Sequence, residues 1–119
     1  MAISILAQRN AMATAYGAAA PNGSLFTGAG PGTSGSATNE VSGGTPAFAR
    51  KALGWGAAAA SATTGGATFD VPSGTTVTWF GVCVSATLAT ADVRDAVTVT
   101  SQAFASQGTY AVTATYTQT

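Results

Sequence analysis

One stretch separates the helix-like start of this chain from its β-type remainder: Asn39-Glu40-Val41-Ser42-Gly43-Gly44-Thr45-Pro46-Ala47-Phe48-Ala49-Arg50-Lys51-Ala52-Leu53-Gly54-Trp55. Gly43-Gly44 indicates a turn, because paired glycines mark breaks between regular elements. The residues from Ala47 to Trp55 then alternate as the two faces of a β-strand do. After this stretch the sequence is typical of β-structure almost to the last residue.

Three of the eight charged residues lie within this stretch: Glu40, Arg50 and Lys51. The alternation places Arg50 and Lys51 on opposite faces of the predicted strand. Glu40 and Arg50 bracket the turn and can pair across it; an exposed pair contributes only about 0–1 kcal/mol, so we expect it to fix register or a subunit contact. We therefore predict four subunit-contact residues: Glu40, Arg50, Lys51 and Trp55.

The composition predicts one domain with an unusually uncharged surface. The chain has 119 residues, 7% of them charged, and a formal net charge of zero. A typical soluble domain has about 25% charged residues and a net charge that opposes self-association. We therefore expect a surface used in contacts with other subunits, in a homo-oligomer such as a trimer. The alternative is a monomer that its Ser and Thr side chains keep in solution.

The same composition argues against several partners. Four scattered basic residues do not form a patch that neutralises phosphates, so we predict no nucleic acid and no membrane among the partners. The first residues lack the basic region and apolar core of a signal peptide, which predicts synthesis in a cytoplasm that the protein leaves only as part of an assembly. Cys83 stands alone in an apolar run, where a buried, inert thiol is the usual case.

No catalytic, cofactor or metal site is predicted. The chain has no His, which is the commonest general base and metal ligand. Asp92 and Asp95 lie beside Arg94 in a predicted exposed loop over residues 85–96, where we expect a solvated ion cluster. A calcium site is not expected there, because calcium takes about six to eight oxygen ligands and two nearby carboxylates do not supply them. Three aromatic side chains fit either the core or a carbohydrate platform, with the core favoured: Trp55, Trp79 and Phe80.

Residues 1–20 form either a short helix or an extended arm. Ser4 is a candidate cap, Gly17 a candidate stop, and an apolar stripe lies between them. Residues 21–119 predict a mainly β fold, a single antiparallel β-sandwich or jelly-roll-like domain. Its predicted strands cover residues 24–27, 47–55, 67–71, 75–84, 97–104 and 109–116.

Two strands carry further detail. Residues 75–84 are apolar on both faces, which predicts a central strand. We expect Val77, Trp79 and Cys83 on one face, and Phe80, Val82 and Val84 on the other. Residues 109–116 alternate cleanly, with Tyr110, Val112, Ala114 and Tyr116 inward. Ser106-Gln107-Gly108 before this strand predicts a hairpin turn.

Several of these motifs resemble a family of small bacteriophage virion proteins of the actinobacteriophage type. They are PNGSLFT at 21–27, NEVSGG at 39–44 followed by AFARKALGW at 47–55, the FDVPSGTTV hairpin at 69–77 and SQGTY at 106–110. Where family members often have a Gly-rich loop, this chain has Ala89-Thr90-Ala91-Asp92-Val93-Arg94-Asp95.

Members of this family are usually labelled tail fibre, minor tail or minor capsid proteins, so the resemblance implies a non-enzymatic part of the virion. We expect a capsid decoration or minor capsid protein that binds the shell in many copies. The alternative is a tail-fibre or tail-tip subunit involved in binding a host receptor. The expected partners are the major capsid protein or tail proteins, with a host cell-surface glycan in the tail-tip case.

Overall fold

One helix is followed by six strands in the computed structural model, which describes residues 3–119. The elements are α1 (Leu6–Ala19), β1 (Asn22–Phe26), β2 (Lys51–Ala52), β3 (Ala62–Val71), β4 (Thr75–Cys83), β5 (Val93–Phe104) and β6 (Gly108–Thr117). Four strands form one antiparallel sheet in the order β2-β1-β4-β5, and β3 pairs with β6 in a second. This mainly β sandwich with a short N-terminal helix confirms the predicted fold class.

The N-terminal segment is a helix that lies against the sandwich, not an extended arm. Its small residues Ala13 and Gly17 are buried, which lets the helix approach closely. A Cβ atom on Gly17 would lie 2.8 Å from Cγ of Trp55. Tyr16 stacks on Tyr116 of β6, with ring centroids 3.8 Å apart. The helix is therefore held by aromatic contacts to both β6 and the residues that follow β2.

The predicted ends of this helix were wrong. Ile5 occupies the N-cap position and no side chain caps the helix, so Ser4 does not serve as the cap. The helix continues past Gly17 to Ala19, because Gly17 is used for close packing instead of termination. The predicted apolar stripe is only partly buried, since Ile5, Leu6 and Met12 are exposed. The one helix of residues 3–119 is too short and too weakly apolar to cross a membrane.

The central strand is confirmed, but one of its side chains lies on the other face. β4 is flanked by β1 and β5, as predicted. Val77 belongs to the main core with Phe80 and Val82, whereas Trp79 packs in a smaller cluster with Cys83. A register irregularity lies between Val77 and Trp79 in the pairing with β5. Such a bulge shifts the alternation, which a strict period of two does not anticipate.

Two turns that were predicted as hairpins connect the two sheets instead. β5 pairs with β4 and β6 pairs with β3, so Ser106-Gln107-Gly108 carries the chain from one sheet to the other. Pro72-Ser73-Gly74 does the same between β3 and β4. The main core lies between the sheets. Its largest fully buried members are Leu25, Phe48, Leu53, Phe69, Val71 and Val77.

The predicted strand over residues 47–55 is mostly an extended loop. Only Lys51 and Ala52 pair with β1. Phe48, Arg50 and Leu53 are all buried, so the segment sends side chains from both of its faces into the interior. Burial alternates from Ala47 to Lys51 but shifts by one position before Leu53, so the predicted strand is shortened to the two residues of β2.

Candidate functional site

Arg50 lies at the centre of a buried charge cluster between residues 39–55 and the loop that joins β4 to β5. Its Nε is 2.7 Å from Oε2 of Glu40, and its Nη1 is 2.7 Å from Oδ1 of Asp92. The Arg50 side chain is 0% exposed, the Glu40 side chain 5% and the Asp92 side chain 18%. We call these three residues the Arg50 cluster.

Every N–H group of the Arg50 guanidinium has an acceptor. Besides the two contacts above, Nη2 donates to Oε1 of Glu40 at 3.3 Å and to the carbonyl of Thr90 at 2.9 Å. Nη1 also donates to the carbonyl of Ser85 at 3.3 Å. The five donors of an arginine are thereby satisfied. A buried charge is tolerated only when it is paired and hydrogen-bonded in this way.

The two carboxylates are also held by the backbone of the β4–β5 loop. Glu40 accepts hydrogen bonds from the Ala89 amide at 2.8 Å and from the Ser24 hydroxyl. Asp92 accepts one from the Ser85 amide at 2.8 Å. The cluster therefore fixes the conformation of this loop against β1 and the 39–55 segment.

The electrostatics of the cluster favour its charged state. Burial alone would lower the pKa of Arg50, but the hydrogen bonds to Glu40 and Asp92 outweigh it and raise that pKa. Burial alone would raise the pKa of Asp92, but the hydrogen bonds from Arg50 and Ser85 lower it. Nearby, burial raises the pKa of the Cys83 thiol to about 11 although the charge of Arg50 opposes the shift. Cys83 is therefore a protonated thiol at neutral pH.

The sequence predicted the pairing of Glu40 with Arg50 but not its setting. The pair is buried, not exposed, because the β4–β5 loop closes over it. The predicted solvated cluster of Asp92, Arg94 and Asp95 was wrong: Asp92 binds Arg50, and Asp95 accepts a hydrogen bond from the Tyr16 hydroxyl at 2.8 Å. No local signal connects Asp92 to Arg50, since 42 positions separate them.

The four predicted contact residues do not form one surface. Glu40 and Arg50 have their charged groups occupied within the subunit. Trp55 is half-buried, and its Nε1 donates to the carbonyl of Ala20 at 2.9 Å. Lys51 is half-buried in β2, outside the Arg50 cluster. Their contact with another subunit stays a prediction.

A groove of about 220 Å³ lies between β5 of one sheet and β6 of the other. Val97 and Val99 line it from β5, and Val112 and Ala114 from β6. Tyr16 closes one part of it, where burial and its hydrogen bond to Asp95 raise its pKa. The lining is mostly apolar, so the groove suits a packed side chain or strand better than a polar reaction.

A second groove, of about 580 Å³, lies beside the glycine-rich loop that follows β1. The half-buried Trp79 lines it together with Arg94 and Asp95. The favoured core positions fit the structure better than the alternative carbohydrate platform, because Phe80 belongs to the main core, Trp79 to the smaller cluster, and Trp55 packs against α1. Of these three aromatic residues, Trp79 is the one that lines this groove.

Within residues 3–119, no three His, Cys, Asp or Glu side chains form a group that could hold a metal ion. Comparisons with protein-family models, curated proteins and solved structures found no match to this chain.

Proposed function

We propose that this chain is a non-enzymatic structural protein of a bacteriophage particle, a capsid decoration or minor capsid protein that binds the shell in many copies. The observation that carries this proposal is the distribution of charge. Three of the eight charged residues form the Arg50 cluster, so five remain for the rest of the molecule. These are Arg9, Lys51, Asp70, Arg94 and Asp95.

A surface with so few charges favours contact with other proteins. Independent soluble domains usually have roughly 25–35% charged surface residues, which keep copies apart. Here the outward face of β6 consists of uncharged, small side chains, and each of them is exposed. They are Thr109, Ala111, Thr113, Thr115 and Thr117. Such a face loses little hydration free energy when a neighbouring subunit covers it, because it presents no charge to desolvate.

The bacteriophage setting of the proposal rests on the resemblance of residues 39–55 to a virion protein family. In the structure, this stretch provides Glu40 and Arg50 to the buried cluster and Phe48 to the main core. The stretch therefore stabilises the fold of the subunit. A small, internally braced sandwich suits a protein that is added to a finished shell.

The copy number of the protein in purified virions tests the proposal. We expect a band whose intensity on a quantitative gel is comparable with that of the major capsid protein, because a decoration protein repeats with the symmetry of the shell. A protein present in only a few copies per particle would contradict decoration and favour a tail-tip position.

The groove beside Trp79 supports a second candidate, a tail-fibre or tail-tip subunit that binds a host glycan. An aromatic ring next to a guanidinium and a carboxylate suits a sugar, which stacks and hydrogen-bonds at once. Tryptophan fluorescence titrated with host cell-wall glycans separates the candidates. Decoration predicts an unchanged spectrum, whereas a saturable change that Arg94→Ala abolishes would favour the tail tip.

A further inference from the structure

The outer edge of β6 is a regular strand edge that pairs with no strand of residues 3–119. β6 pairs with β3 over ten consecutive residues, without a register irregularity. It contains no charged residue and no proline between Gly108 and Thr117. Natural proteins usually protect such an edge with a charge, a proline or a bulge, because unpaired backbone groups recruit another strand. The edge of β6 has none of these protections.

The sequence of β6 is partly symmetric about Thr113: the pairs Thr109/Thr117 and Tyr110/Tyr116 are identical, whereas the two pairs nearer the centre differ. Residues 109–117 read Thr-Tyr-Ala-Val-Thr-Ala-Thr-Tyr-Thr. Tyr110 and Tyr116 are equidistant from Thr113, as are Val112 and Ala114. An antiparallel pair of identical strands on a two-fold axis requires this kind of self-complementarity, since each residue meets its mirror position.

We propose that β6 pairs antiparallel with β6 of a second copy, on a two-fold axis at Thr113. The two-stranded sheets of both copies then form one four-stranded sheet, in the order β3-β6-β6-β3. In this register Tyr110 lies opposite Tyr116 of the second copy, and Val112 lies opposite its Ala114. A large residue thus faces a small one beside the axis, and the aromatic rings flank that pair.

The groove between β5 and β6 supports the same occupant. Val112, Ala114 and Tyr116 line the groove but are only half-buried, because β6 is the last strand of its sheet in the part of the chain that the structure describes. A strand paired with β6 covers them from the edge. The inward residues of the added strand have the same spacing and apolar character.

Charge and area set the expected strength of this dimer. β6 carries no charge, so two copies approach without repulsion between like charges along the strand. Ten residues at about 3.3 Å each and a sandwich depth of about 10 Å give roughly 700 Å² of paired edge in the two copies. That area belongs to weak, reversible interfaces. We therefore expect monomer and dimer in equilibrium at micromolar concentrations, independently of where the protein lies in a virion.

Sedimentation velocity over a concentration series tests the proposal with two matched variants. Thr113→Lys places two ammonium groups side by side on the axis, and we expect it to abolish the dimer. Thr68→Lys adds the same charge on the exposed face of β3, one strand away from the edge, and we expect a dimer like that of the wild type. Both positions are exposed, and unfolding curves serve as the control that each variant is folded.

Cross-linking gives an independent readout of the register. Residues directly opposite in an antiparallel pair have Cα atoms about 4.5–5.5 Å apart, within the range of a disulfide. Thr113→Cys should therefore form a disulfide-linked dimer under mild oxidation, and Thr68→Cys should not. A wild type that stays monomeric throughout, a trimer, a dimer that survives Thr113→Lys, or equal cross-linking of the two cysteine variants would each overturn the proposal.

Discussion

At the scale of single residues, Arg50 connects more of the molecule than any other charged side chain of the described residues. It joins Glu40, beside β1, to Asp92, just before β5, and to two carbonyl groups of the loop between β4 and β5. The guanidinium supports this because its five donors lie in one plane and reach several acceptors at once. Lysine has a single point of charge and would leave part of this network without a donor.

Replacement of Arg50 by Met should destabilise the fold by about 3–5 kcal/mol, because the buried Glu40 carboxylate loses its charged partner. Urea unfolding measures this. Lys51→Met is the matched control: it removes the same charge one position along the chain, outside the cluster, and should change stability by no more than about 0.5 kcal/mol. Equal effects of the two substitutions would contradict a buried, paired Arg50.

A double substitution measures the interaction between Glu40 and Arg50 apart from the other contacts of each side chain. Glu40→Gln with Arg50→Met removes both opposite charges and should recover part of the loss seen with Arg50→Met alone, because no unpaired Glu40 carboxylate remains. Additive losses in this double-mutant cycle would show that the two side chains do not interact.

Acid should weaken the fold through Asp92. Its pKa in the folded protein lies below the ordinary value of 3.8, so the unfolded chain binds its proton first as the pH falls. The stabilisation is complete above about pH 4 and is lost as the pH falls through the lower, folded-state pKa. In urea titrations at several pH values, Asp92→Asn should be less stable at neutral pH and lose less stability on acidification. An unchanged pH dependence would contradict this role of Asp92.

At the scale of elements, α1 depends on a contact that only glycine permits. A Cβ atom at Gly17 would lie 2.8 Å from Cγ of Trp55, and that ring is fixed by its hydrogen bond to the carbonyl of Ala20. Glycine at position 17 lowers the intrinsic stability of the helix by about 1 kcal/mol relative to alanine, but it allows the helix to pack closely on Trp55.

Gly17→Ala should accordingly destabilise the protein by about 1–3 kcal/mol, the usual cost of overpacking, although alanine is the better helix former. Thermal unfolding provides the measurement. Adding Trp55→Leu should reduce the cost of Gly17→Ala, because the smaller side chain leaves room for the methyl group. An increase in stability from Gly17→Ala alone would mean that the helix does not pack closely on Trp55.

The elements show what the sequence could and could not predict. The alternation of residues 109–116 and the apolar run of 75–84 were sufficient to place β6 and β4. Residues 47–55 alternate equally well, but only Lys51 and Ala52 pair with another strand, because burial can alternate along a loop that crosses a core. Ser106-Gln107-Gly108 has the chemistry of a turn, which does not specify the sheet that the next strand joins. Asp92 was missed because its partner is distant in sequence.

At the scale of the whole molecule, the main feature is a weakly charged surface around an internally braced sandwich. The cluster that braces the fold also removes three charges from the surface. The five that remain are divided between three basic and two acidic residues. Contacts of this molecule with its neighbours are therefore expected to rest on shape, hydroxyl groups and strand edges.

Binding to the shell should consequently depend little on salt. Exposed charges are screened at high ionic strength, with a Debye length of about 10 Å at 0.1 M and about 3 Å at 1 M, whereas apolar and backbone contacts are not. Rebinding of the purified protein to particles that lack it, measured at both salt concentrations, should give similar affinities. Arg94→Glu, which reverses an exposed charge, should bind as the wild type does. A loss of binding with salt or with this substitution would indicate an electrostatic interface.

Cryo-electron microscopy of the virion tests the central claim most directly, because it locates the protein within the particle. We predict density for a two-sheet sandwich with one short helix, repeated over the capsid shell at symmetry-related positions. Density for this fold at the tail tip alone, with a bare shell, would contradict the assignment as a decoration protein.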